Sequence, residues 1–148
     1  MSRKSPKIAS LIADLKLVRS DGECPYFDPH YTGYFECFNR QMYYEAHDVL
    51  EELWLHTRGK DHLFYKGLIQ LAGAFVHLKK SRLDPGARLF RLALKNVAPY
   101  GPSHEGLDVK TLMGQIHQWL TQLEDSNYAQ SPYDPNQPPK LELEKPRE

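Results

Sequence analysis

Between residues 32 and 57 apolar side chains recur three and four positions apart, and no other feature narrows the fold of this chain as much. Phe35, Phe38, Met42, Ala46, Val49 and Leu53 form one stripe. Tyr43, Leu50 and Trp54 form an adjoining one, with His47 inside it. A helix apolar over so wide an arc has to be central and largely buried. The spacing predicts a short helix over about 32–38 and a long one over about 41–57. Asn39 falls between them, where its tolerance of a left-handed backbone suits a turn, and Gly59 can end the long helix.

The flanking sequence repeats the pattern. Ser5-Pro6 can cap and start a first helix that runs to near Arg19, on a stripe of Ile8, Leu11, Ile12 and Leu15. Residues 20–31, broken by Gly22, Pro25 and Pro29 and rich in aromatics, read as a loop packed on the body. Asp61 can cap a helix over about 62–80, in which Gly67, Gly73 and Ala74 allow a neighbour to approach closely. Asp84-Pro85 opens a helix to about 97, Tyr100-Gly101-Pro102 stops the chain, and Asp108 caps a last helix that presents Leu112, Ile116, Trp119 and Leu123. The expected fold is therefore all-α. It is a compact helical bundle of four main helices plus one or two short accessory helices. Residues 1–128 form a single domain, and 129–148 form a Pro-rich C-terminal tail, extended or disordered.

A chain of 148 residues can bury a core without metal or disulfide staples. Its 19 basic and 19 acidic residues balance, so no field draws it to nucleic acid, and no nucleic-acid partner is expected. No run of 18 apolar residues occurs, so no membrane span is expected. Cys24 and Cys37 are too few for a disulfide framework and read as free thiols of a cytoplasmic protein. Self-association through a helix face stays open.

The densest polar signal is EAHDVLEELW, residues 45–54. His47 and Glu51 stand four apart on one helix face. Gln70 and His77, seven apart, share a face of the next helix. If the two helices pack antiparallel, His47, Glu51 and His77 form a cluster between them. Tyr43 shares the His47 face and is its expected neighbour, and Trp54, seven positions on, can wall a pocket. Four uses compete: a purely structural tie, a divalent-metal site on His47, Glu51 and His77, acid–base chemistry by His47 assisted by Glu51, and a partner-binding surface. Other chemistries lack their residues. The second histidine of a His-Glu-x-x-His site is missing, as are Glu-x-x-His repeats, a nucleophile elbow and a phosphate loop. His56, His62 and His104, near loops and helix ends, read as solvent-facing or capping residues.

These residues also carry a resemblance. FNRQMYYEAHDVLEELW (38–54) and FYKGLIQLAGAFVHLKK (64–80) resemble the first two motifs of a bacterial and plastid family of small helical proteins, DUF309. PGARLF (85–90) and YGPSHEGLDVKTL (100–112) are similar to its later segments, so the likeness spans about residues 31–120. The resemblance implies an all-helical bundle and assigns no reaction. It marks Phe38, Asn39, Glu45, Ala46, His47, Leu50, Glu51 and Trp54, then Gly67, Leu68, Ile69, Gln70, Ala72 and His77, and finally Gly86 and Ala87. The chain departs from the pattern twice: Gln41 replaces a usual glycine, and Asp48 a usual glutamate. The shorter reach of Asp48 favours Glu51 as the working carboxylate. The combined expectation is a pocket for a small ligand or divalent metal ion around Tyr43, His47, Glu51, Trp54, Gln70 and His77, with His47 and Glu51 the candidates for any catalysis.

Overall fold

The computed structural model describes Ile8, Ser10 and residues 27–144. The expected first helix lies outside them, apart from Ile8 and Ser10, which are helical, and Ile8 is buried in the core. Helix α1 spans Pro29–Asn39, α2 Tyr43–Leu55, α3 His62–Lys79, α4 Leu83–Val97 and α5 Val109–Asp125. The result is an all-helical bundle with one small hairpin, β1 (Ser103–His104) against β2 (Leu107–Asp108), antiparallel with Ser103 opposite Asp108.

Helix α1 begins three residues earlier than the apolar spacing suggests. Asp28 caps it, accepting the His30 amide at 2.8 Å, and Pro29 takes the first turn, where its missing N–H costs nothing. The left-handed turn before α2 falls on Gln41 (φ 63°) and not on Asn39. Asn39 does other work. Its side-chain amide donates to the Leu141 carbonyl and accepts the Leu141 amide, both at 2.8 Å, and so clasps the far end of the chain. Asp108 caps α5 by accepting the Thr111 amide at 2.9 Å.

Helix α3 is the axis. Its start meets the end of α2, where Trp54 stacks on His62 with centroids 5.0 Å apart, and its end meets the start of α2, where Phe75 stacks on Tyr43 at 5.2 Å. The two helices are therefore antiparallel. Phe75 also packs edge-on against Phe38, Phe90 and Trp119, which joins α1, α2, α4 and α5 around one ring. The Tyr34 hydroxyl donates to the Leu68 carbonyl at 2.6 Å inside this core. Helices α3 and α4 touch through Gly67, where an added Cβ would stand 2.7 Å from Val97 Cγ1. Only the absence of a side chain allows that approach.

Residues 129–144 have no helix, yet they pack on the body. Leu141 is buried, Leu143 bridges to Leu107, and Gln41 donates to the Pro135 carbonyl at 3.1 Å. Cys37 is a free, buried thiol whose pKa burial pushes up to about 11. Among the described residues, no helix is long and apolar enough to cross a membrane.

Candidate functional site

His47 sits between two carboxylates of its own helix. Its Nδ1 lies 3.2 Å from Asp48 Oδ1, and its Nε2 lies 3.8 Å from Glu51 Oε2. The first distance is a hydrogen bond; the second is an ion-pair distance only. Adjacent residues on a helix do not usually face each other, so the Asp48 contact was not readable from spacing. Asp48 is only 7% exposed, and its shorter arm makes it the inner carboxylate. With both ring nitrogens turned to carboxylates, the geometry of His47 suits orienting and electrostatic work better than exchanging a proton with a ligand.

A cleft of about 310 Å³ opens beside this ring. Helix α2 contributes Tyr44 and His47, α3 contributes Ile69, Gln70, Gly73, Val76 and His77, and α4 adds Leu89. Lys80 and Arg82, in the turn after α3, stand exposed at its mouth. The antiparallel packing of α2 on α3 brings His47, Gln70 and His77 to one cavity. Tyr43, Glu51 and Trp54 do not line it. Tyr43 turns into the core against Phe38 and Phe75, and its hydroxyl meets that of Tyr133 at 3.2 Å. Tyr44, 55% exposed, takes the place expected for Tyr43, with its ring 6.4 Å from that of His47. Trp54 lies at the opposite end of α2 on His62, its Nε1 buried with no hydrogen-bond partner among the described residues.

The polar groups of the cleft are mostly donors. Gln70 accepts from Asn96 Nδ2 at 2.8 Å through its Oε1, which leaves its amide N–H groups for the cavity. His77 Nδ1 is buried without a hydrogen-bond partner among the described residues. An unprotonated ring nitrogen is cheaper to bury unpaired than an N–H, so this favours the tautomer with its proton on Nε2. Burial, reinforced by the charges of Arg82 and Lys80, holds His77 below the ordinary histidine pKa. The ring is thus neutral near pH 7 and can donate one hydrogen bond.

A second constellation lies at the other end of α3. His104 Nε2 stands 2.7 Å from Asp61 Oδ1, and Glu105 follows in the hairpin turn. One ligand-type atom from each of Asp61, His104 and Glu105 falls within 4.8 Å of the other two, and all three residues are half-buried. It is a cluster of the kind that can hold a metal ion. His77 does not join His47 and Glu51 in such a group. The reading of His104 as a solvent-facing or capping residue missed this association, which spans 43 residues.

Residues 31–89 match the family described as a domain of unknown function, DUF309. They include every helix face that lines the cleft; the segment at 100–112 lies beyond them. No curated protein and no solved structure matches the chain. The likeness to the DUF309 family therefore covers residues 31–89, less than half of the chain.

Proposed function

We propose that this chain is a small-molecule-binding protein, and that the cleft between α2, α3 and α4 takes a ligand with a carboxylate-like anion on an apolar body. One observation carries the reading: donors converge on an apolar floor. Ile69, Val76 and Leu89 supply the floor, while Gln70, His77, Lys80, Arg82 and the Tyr44 hydroxyl surround it with hydrogen-bond donors. A donor-rich site leaves an acceptor-rich, negatively charged group best matched. The volume stands at the small end of ligand sites, roughly 300–1,000 Å³, and fits a single ring or a short chain. Such a ligand would touch His77 and Gln70, while His47, fixed by Asp48, shapes the wall.

The test is saturation-transfer NMR of the full chain with benzoate and hexanoate, beside benzyl alcohol as a neutral control. The carboxylates bind and the alcohol binds more weakly. Val76→Trp fills the cavity and removes the signal, while Lys80→Glu/Arg82→Glu weakens the carboxylates alone. Carboxylate binding that survives Val76→Trp with the fold intact, or no carboxylate binding at all, rules the proposal out.

A further inference from the structure

We propose that Asp61, His104 and Glu105 form a second site, independent of the cleft, which binds a divalent transition-metal ion such as Zn²⁺. Position 77 lies sixteen residue steps along α3 from the cap position 61, which puts the two sites about 24 Å apart.

Each of the three residues departs from the plainest local behaviour. Asp61 occupies the N-cap position of α3 yet makes no capping hydrogen bond; its carboxylate is turned to His104 instead. An aspartate there would ordinarily accept an amide of the first helical turn. The ring of His104 is wedged against Phe64 at 4.7 Å and Tyr100 at 4.9 Å, which fixes the direction of Nε2. Glu105 adopts a left-handed backbone (φ 49°), uncommon for a side chain of its size. Its carbonyl accepts the hydroxyl of buried Tyr31 at 2.8 Å, which anchors the turn to α1. Among the described residues no hydrogen bond or ion pair engages the Glu105 carboxylate, and its half-buried charge faces Asp61 and His104.

The surroundings are anionic. Burial first, then the charges of Glu105, Asp61 and Asp28, push Tyr65 up to about 12, and burial with Glu105 raises Tyr31 as well. Both phenols therefore stay neutral near pH 7. A divalent cation would relieve this crowding of carboxylates. One imidazole nitrogen with two carboxylate oxygens suits Zn²⁺ and neighbouring transition ions over Mg²⁺ or Ca²⁺, which prefer all-oxygen shells. Three protein donors leave at least one position open to water. On binding, His104 releases to solvent the Nε2 proton that it donates to Asp61, gives that lone pair to the ion, and takes up its single ring proton on Nδ1. Asp61 Oδ1 changes from hydrogen-bond partner to ligand, and Glu105 closes the third side.

The experiment is calorimetric titration of the full chain with Zn²⁺, with Mg²⁺ in parallel. The expected result is one saturable Zn²⁺ equivalent and much weaker Mg²⁺ binding. Glu105→Gln keeps the size of the side chain and removes no described hydrogen bond, so it should leave circular dichroism unchanged and weaken Zn²⁺ by about tenfold or more. Asp61→Asn should do the same, and His47→Ala should leave Zn²⁺ affinity unaltered. No saturable Zn²⁺ binding, an unchanged Glu105→Gln, or a loss confined to His47→Ala would each overturn the assignment.

Discussion

The five helices and the non-helical segments at 98–108 and 126–144 are held by different forces. The first region is a continuous apolar core in which Phe75 touches rings from α1, α2, α4 and α5. The second is pinned at points. Asn39 clasps Leu141, Tyr31 holds the Glu105 carbonyl, Asp61 meets His104, and the backbone amide of Glu144 donates to the Gly106 carbonyl at 2.8 Å. Area burial is non-directional and spreads its cost over many neighbours; a hydrogen bond fails singly. The cleft is built on the first region and inherits its rigidity. The Asp61–His104–Glu105 cluster joins the two, so it depends on the pins.

The largest break comes from the core. Phe75→Ala should lower stability by about 3–5 kcal/mol in urea denaturation, because it removes the ring shared by four helices. A loss below 1 kcal/mol would mean that the core is not centred there. Gly67→Ala drives a Cβ into Val97 and the α4 backbone, and should cost roughly 1–3 kcal/mol while reshaping the α3–α4 joint. Asn39→Ala tests the second region. Loss of two hydrogen bonds to Leu141 should cost about 1–2 kcal/mol and open residues 129–144 to protease, with helical circular dichroism retained. Uniform protease resistance would remove the distinction between the regions.

The smallest effect is a pH dependence inside the first region. Folding lowers the proton affinity of His77, so the unfolded chain binds a proton first as the pH drops below the ordinary value of 6.5. The contribution is complete above that value and is lost as pH falls through the lower folded pKa. His77→Gln should flatten this part of the stability–pH curve. An unchanged slope would show that His77 is not the group responsible.

The same contrast explains what the sequence disclosed. Helices α2, α3 and α5 were legible because their apolar periods are long and clean. The start of α1 was not, because Pro29 read as a break although Asp28-Pro29 is the same cap-and-proline signal as Ser5-Pro6. The hairpin escaped because two-residue strands carry no alternation. On the helices, face arithmetic and antiparallel packing were enough to bring His47, Gln70 and His77 together. They were not enough to choose between Tyr43 and Tyr44. Both lie within one turn of His47, and the choice is made by Phe38 and Phe75, which draw Tyr43 inward. The triad had no local signature. A helix cap and a turn meet across 43 residues only once α3, α5 and the hairpin are in place.

One titration tests the cleft most directly: side-chain NMR of the full chain as benzoate is added, following the imidazoles of His77 and His104 and the amide nitrogen of Gln70. The ligand reading requires saturable shifts at His77 and Gln70 with a single affinity, while His104 stays still. If neither His77 nor Gln70 moves, or if they move only in step with His104, the cavity between α2, α3 and α4 is not where this protein binds.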